Sequence, residues 1–250
     1  PREQVGATAA ILDALQRLGL HWDGDVILQS AHAPRYQAAL GRLVEAGQAY
    51  PCGCTRREIA DSQRRAGGEV LVRHEERPYP GTCRHGLPAG RAPRAWRLKV
   101  PPGPVSFIDR WQGPQCQNVA DEVGDIVLKR ADGLWAYQLA VVVDDGESGV
   151  TDVVRGADLL GSTARQIVLG RALGLPEPRW LHVPVVRGAD GDKLSKQNGA
   201  QAVATTEPHA ALNAAARHLG LDCPPGGSIE AWLQRATRAW TARLAELRTS

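Results

Sequence analysis

"VTDVVRGADLLGSTARQIVLGRALGLPEPRWLHVPVV", residues 150–186, is the stretch on which the fold class turns. Its first part, 150–160, is a largely apolar run closed by polar residues. Residues 163–175 ("TARQIVLGRALGL") carry helical spacing, and 180–186 ("WLHVPVV") form a second short apolar run. Strand, helix and strand in that order predict an α/β unit. Two runs upstream extend the pattern: "DIVLKR" (125–130) and "WAYQLAVVVDD" (135–145), both read as strands. These runs are too uniformly apolar for a sheet wetted on one side. A parallel sheet covered on both faces is expected. In open sheets of that kind ligands bind beyond the carboxyl ends of the strands. One strand then ends at Asp144-Asp145 and another at Arg155-Gly156, which would set Tyr137 and Arg155 on one crevice. The plainer reading makes the aspartates caps and Arg155 half of a structural ion pair.

Further out, residues 3–18 predict an amphipathic helix with Val5, Ile11, Leu12, Leu15 and Leu18 near one face. A second helix is expected over 33–47, with Pro34 in its first turn and Gly47 at its stop. From 51 to 110 the chain is rich in Arg, Gly and Pro, with short β-like pieces such as "AWRLKV". This reads as a small insertion unable to bury much core alone. After about 206 two helical patterns, "PHAALNAAARHLG" and "SIEAWLQRATRAWTARLAEL", form a tail. The predicted segments are 1–50 and 111–190 as core, 51–110 as insertion, and 191–250 as loop and helical tail.

With 43% hydrophobic and 23% charged residues, the 250-residue chain falls in the ordinary globular range. No apolar run approaches the roughly 20 residues of a membrane span. A formal charge of +3 permits a polyanionic partner without demanding one. The sequence shows no basic-then-apolar leader, so a reducing cytoplasm is the expected compartment. There, the odd count of five cysteines and their wide spacing argue against a disulfide framework, and clustered thiols suggest metal. Cys52-x-Cys54 gives two thiolates from one tight turn, and Cys83 supplies a third. A zinc ion needs a fourth donor. Chemistry favours His85 or His74, with Glu75, Glu76 and Tyr79 behind. Buried structural cysteines are the alternative. A structural zinc, one per chain, would staple a segment with little core.

"GDKLSKQNGA", 191–200, holds two of the four lysines, Lys193 and Lys196, among 30 basic residues. A Gly-flanked lysine pair is often only a solvated turn. It is also well suited to closing over phosphates, since ammonium groups act as compact point charges.

Taken in order, "GLHWDGD", "YPCGCTRREI", "LAVVVDD", "VVRGADLLGSTARQ" and "KLSKQNGA" resemble the catalytic core of class I glutamyl-tRNA synthetases. Within that family the chain is most similar to the stand-alone branch that attaches glutamate to queuosine in tRNA(Asp). The resemblance implies a Rossmann-like doubly wound parallel sheet with a zinc-binding insertion and a helical C-terminal tail. It implies ATP with Mg²⁺ and L-glutamate as substrates, queuosine-bearing tRNA(Asp) as acceptor, and a monomer. Lys193, Ser195 and Lys196 match the family's KMSKS-type ATP loop, with Lys196 in the catalytic place. Tyr137 and Arg155 match positions that hold glutamate. Cys52, Cys54, Tyr79 and Cys83 match the zinc ligands, so the resemblance selects Tyr79 as fourth donor. The family begins with a strand and a HIGH-type loop, of which Pro1-Arg2 resembles only the trailing end. An ordinary glutamyl-tRNA synthetase fragment and a non-catalytic zinc-dependent RNA-binding module are the alternatives.

Overall fold

The computed structural model describes residues 4–65, 78–188, 191, 193, 194 and 202–247. The chain divides into two compact units. One comprises Ile27–Val154 with Leu159–Leu181; the other comprises Pro1–Val26, Arg155–Asp158 and His182–Ser250.

Helix α1 (Ala7–Arg17) belongs to the smaller unit, and α2 (Ala33–Glu45) is the first α-helix of the larger. Pro34 lies in the first turn of α2, where its missing N–H costs nothing. Tyr36, Leu40 and Leu43 recur at helical spacing on its buried face. Then follow β1 (Ala49–Cys52), α3 (Arg56–Arg65), β2 (Ala95–Leu98), β3 (Val105–Asp109), β4 (Gly113–Gln117), the short α4 (Val119–Glu122) and β5 (Ile126–Lys129). After these come α5 (Tyr137–Glu147), β6 (Asp152–Gly156), α6 (Leu160–Ala172) and β7 (Arg179–Val183). One sheet has the order β1-β2-β5 and is antiparallel throughout. The other has the order β4-β3-β7-β6 and mixes an antiparallel β3–β4 pair with a parallel β3–β7 pair. The α/β class holds, while the expected all-parallel sheet is corrected to one antiparallel sheet and one mixed sheet.

The run 135–145 is also corrected: it is helix α5, not a strand. Leu139, Ala140 and Val143 are buried at i, i+1 and i+4, a helical stripe. Burial of that stripe outweighs the strand preference of three consecutive valines. Gly146 lets α5 approach closely, since a Cβ there would lie 2.7 Å from Leu175 Cδ1. The core of this unit includes Tyr36, Leu98, Leu128, Leu139, Leu169 and Trp180. Each such side chain contributes about 1.5–3 kcal/mol by leaving water.

In the last turn of α5, Asp144 faces the negative end of the helix dipole, which alone is unfavourable. Three donors offset it: Gln29 Nε2 at 2.9 Å, Tyr36 Oη at 2.7 Å, and the His32 Nδ1 contact at 3.1 Å. Burial pushes its pKa up, but the hydrogen bonds from Tyr36, His32 and Gln29 outweigh it and the net shift is downward. Asp144 is thus a clasp between α2 and α5 rather than a strand end. Asp144→Asn is expected to cost about 1.5–3 kcal/mol at neutral pH, the scale of hydrogen bonds to a charged group. A folded-state pKa below the unfolded one means the contribution is complete above the ordinary value of about 3.9. It is lost as pH falls through the folded value. Urea melts of both proteins should therefore differ at pH 7, still differ near pH 4, and draw together only as pH falls on through the depressed folded value.

The smaller unit contains α1, α7 (Pro208–His218) and α8 (Ile229–Leu247). α1 begins at Ala7, later than expected; Val5 is fully exposed, and no residue of α1 itself is buried. Leu212, Ala216 and Trp232 form the small core here, with Leu18 and Leu221 against it. Trp232 is 3% exposed and its indole N–H donates to Asn213 Oδ1 at 2.8 Å. Among the described residues no helix is long and apolar enough to cross a membrane.

Candidate functional site

The chain turns at Cys52-Gly53-Cys54 as it leaves β1. Gly53 packs closely here: an added Cβ would meet Arg91 Cγ at 2.4 Å and the Ala92 carbonyl oxygen at 3.0 Å, so the Arg91 side chain would have to move. A capping box opens α3 immediately afterwards. Thr55 N–H donates to Glu58 Oε2 at 2.7 Å, and Glu58 N–H donates back to Thr55 Oγ1 at 3.2 Å. Arg91 adds a two-pronged pair to the same carboxylate, at 3.0 and 2.8 Å. Arg91, then the Thr55 donors, hold Glu58 down to a pKa of about 2.

Three sulfurs and one phenol converge on this turn. The Sγ atoms of Cys52, Cys54 and Cys83 all lie within 4.8 Å of one another. Cys54 and Cys83 are 3.6 Å apart, and Tyr79 Oη lies 3.4 Å from Cys52 Sγ and 3.6 Å from Cys54 Sγ. Zinc–sulfur bonds of about 2.3 Å give a tetrahedron with edges of roughly 3.8 Å, so the donor spacing fits a four-coordinate ion. Cys52 and Cys83 are fully buried and Tyr79 is nearly so. Burial pushes the Cys54 thiol up to about 11, with Cys83 and Cys52 adding to the rise. A cation is what would make clustered thiolates favourable here. The three cysteines could hold a metal ion. Among the described residues no histidine joins that group; His74, Glu75 and Glu76 lie outside the described residues.

The cluster rests on a buried polar network that sequence reading missed. Gly124, at φ +72°, lets the backbone of Tyr79 dock: Tyr79 N–H donates to Val123 O at 2.9 Å. Asp125, 3% exposed, accepts from Tyr50 Oη at 2.6 Å and from Val100 N–H at 2.8 Å, and pairs with Arg84. Burial, then the bond to Asp125, pushes the Tyr50 pKa well up, so Tyr50 remains a donor. Arg97 on β2 donates to the carbonyl of Asp125 at 2.8 Å, and its guanidinium lies 3.8 Å from the centre of the Tyr79 ring.

In the smaller unit, Arg155 near the carboxyl end of β6 donates from Nε to His182 Nε2 at 2.9 Å. His182, on β7, is fully buried. Gly156 makes room for the carboxylate of Asp158, whose Oδ1 would lie 2.4 Å from a Cβ at that position. Asp158 in turn pairs with Lys193, Nζ to Oδ2 at 2.5 Å. "RGAD" is thus a local device: Arg155 set by His182, and Asp158 turned toward the lysine. Neither His182 nor Asp158 was singled out in the sequence; their spacing to Arg155 and Lys193 carries no local signature. Ser195 and Lys196 lie outside the described residues. Tyr137 opens α5 and is about half exposed.

The sequence matches the family model described as tRNA synthetases class I (E and Q), catalytic domain, over residues 1–212. It is 58% identical over 244 residues to a glutamyl-Q tRNA(Asp) synthetase of Bordetella bronchiseptica, covering 97% of this chain and 76% of that protein. It is 57% identical over 249 residues to the enzyme of the same name from Ralstonia nicotianae, covering 98% and 78%. Among solved structures, a glutamate–tRNA synthetase from Elizabethkingia anophelis superposes with a TM-score of 0.65 at 25% identity. That match covers 79% of this chain and 44% of the other, so the chain spans less than half of the solved protein.

Proposed function

The chain belongs to the class I tRNA synthetase family of the E and Q type and is a ligase; on that premise we propose that it activates L-glutamate with ATP and transfers it to queuosine in tRNA(Asp). The observation that carries this reading is the 57–58% identity, over nearly the whole chain, to relatives bearing that activity in their name. In this reading 1–50 and 111–190 build the catalytic core, 51–110 the zinc-binding insertion, and 191–250 the KLSKQ loop and helical tail. The protein works as a cytoplasmic monomer.

The glutamate α-carboxylate attacks the α-phosphorus of ATP, forming glutamyl-adenylate and releasing pyrophosphate. The nucleophile is already ionised, so positioning and charge stabilisation supply the rate rather than a strong base. Tyr137 and Arg155 hold glutamate; the guanidinium suits a carboxylate by two-pronged pairing. The Arg155–His182 bond supports a fixed orientation of that fork. Lys193, Ser195 and Lys196 follow the phosphate charge, Lys196 most directly, with Mg²⁺ accompanying ATP. A hydroxyl of the queuosine cyclopentenediol then attacks the adenylate carbonyl and expels AMP. Cys52, Cys54, Tyr79 and Cys83 hold one zinc ion, which supplies a cross-link for the insertion rather than chemistry.

The test is glutamate-dependent pyrophosphate exchange by the full natural protein, followed by transfer of labelled glutamate. Labelling of queuosine-containing tRNA(Asp), and not of queuosine-lacking tRNA(Asp) or tRNA(Glu), is the expected result. Transfer to tRNA(Glu) would return the protein to the ordinary synthetases; RNA binding without exchange would make it a non-catalytic module. Arg155→Ala should raise the KM for glutamate about 10- to 100-fold, the worth of a charged hydrogen-bonded pair, with the KM for ATP unchanged. An unaltered glutamate KM removes Arg155 from the substrate site.

A further inference from the structure

We infer that Arg97 is the counter-charge of the metal centre, a positioning residue that lets an anionic cluster exist in a buried place. The inference rests on the metal reading of Cys52, Cys54, Tyr79 and Cys83. Three thiolates around a zinc ion leave one net negative charge even before the tyrosine is counted. Such a charge, set between side chains as buried as Cys52 and Cys83, is costly without a cation beside it.

The nearby arginines are not equivalent. Arg84 is committed to the Asp125 carboxylate, and Arg91 to Glu58. Arg97 is 8% exposed, yet its hydrogen bond goes to a neutral acceptor, the Asp125 carbonyl. Among the described residues it has no carboxylate partner, and its buried Nε has no hydrogen-bond partner. Such a residue would ordinarily be a liability, since guanidinium is always charged and is seldom buried without an anion. Its geometry identifies the missing anion. The guanidinium carbon sits 3.8 Å above the Tyr79 ring, within cation–π reach of the phenol that completes the donor set. Strand pairing fixes this placement: Arg97 stands opposite Tyr50, two residues before Cys52 on the neighbouring strand. The arginine is therefore delivered to the cluster by the same ladder that delivers the first cysteine. Outer-shell groups of this kind typically change metal affinity 10- to 100-fold.

The experiment is competition for Zn²⁺ between the full-length protein and a chromophoric chelator, using wild type, Arg97→Met and Arg97→Lys. Arg97→Met should bind the ion about 10- to 100-fold more weakly. Arg97→Lys, which keeps the charge, should recover most of that loss. Thermal melts with and without Zn²⁺ separate this role from simple packing: the metal-induced rise in Tm should shrink in Arg97→Met. Wild-type affinity in Arg97→Met, or equal losses of apo and loaded Tm at unchanged affinity, would overturn the assignment. If Arg97→Met fails to fold, Arg97→Gln carries the same comparison with a donor retained for the Asp125 carbonyl. Wild-type protein that takes up no Zn²⁺ overturns the metal reading itself, and the assignment with it.

Discussion

Asp125→Ala should lower the stability of the larger unit by about 2–6 kcal/mol, the cost of stranding two buried donors at about 1–3 kcal/mol each. The loss is not chiefly that of an ion pair. Arg84 keeps 31% of its side chain exposed and can turn to water, so its share is small. The cost lies with the donors left behind. Tyr50 Oη and Val100 N–H are both buried, and both lose their acceptor. Each stranded donor costs about 1–3 kcal/mol. Urea melts should show a lower midpoint with an unchanged slope, since the area exposed on unfolding is the same. A shift below 1 kcal/mol would mean that water replaces the carboxylate and that the network is not a keystone.

Gly124→Ala is expected to cost about 3 kcal/mol or more and to disperse the Cys52, Cys54, Tyr79 and Cys83 cluster proposed to hold zinc. Two effects add. A non-glycine residue at φ +72° pays about 1–3 kcal/mol in backbone strain. The new Cβ would also lie 2.4 Å from Tyr79 O and 2.6 Å from Tyr79 N, which are backbone atoms that cannot swing aside. Tyr79 must retreat, and its phenol leaves the sulfurs. Gly133 is the control: its φ is +82°, but nothing lies within 4 Å of an added Cβ. Gly133→Ala should show the strain alone and leave Zn²⁺ stoichiometry at the wild-type level. If both variants retain the ion equally, the close approach of residue 124 to Tyr79 does not set the site.

Much of this protein is legible in local sequence pattern. The helices α2, α6, α7 and α8 follow from apolar spacing and from Pro or Gly at their ends. β5, β6 and β7 follow from short apolar runs. α5 reads as a strand because three valines stand in a row, whereas the stripe that decides the matter is Leu139, Ala140 and Val143. β1 was not separated from its turn because Pro51 and two cysteines obscure its alternation. Residues grouped by short spacing, such as Cys52 and Cys54, could be read directly. Tyr79 required a family resemblance, since a phenol is a weaker chemical choice than imidazole. Asp125 and Arg97 were invisible, because what makes them matter comes from distant parts of the chain. Arg84 lies 41 residues from Asp125 in sequence and Tyr50 lies 75. No periodicity encodes such a meeting.

The indole of Trp232, packed on Leu212 and tied to Asn213, gives the smaller unit an optical reporter of its own. Trp180 lies in the separate apolar cluster of the larger unit. Emission from the seven tryptophans of the chain therefore mixes signals from both cores with those of exposed indoles such as Trp22, and a single fitted midpoint would describe neither core if the two melt at different temperatures. Resolving the indoles one by one, by fluorine labelling or single-tryptophan variants, would turn that ambiguity into two separate denaturation curves.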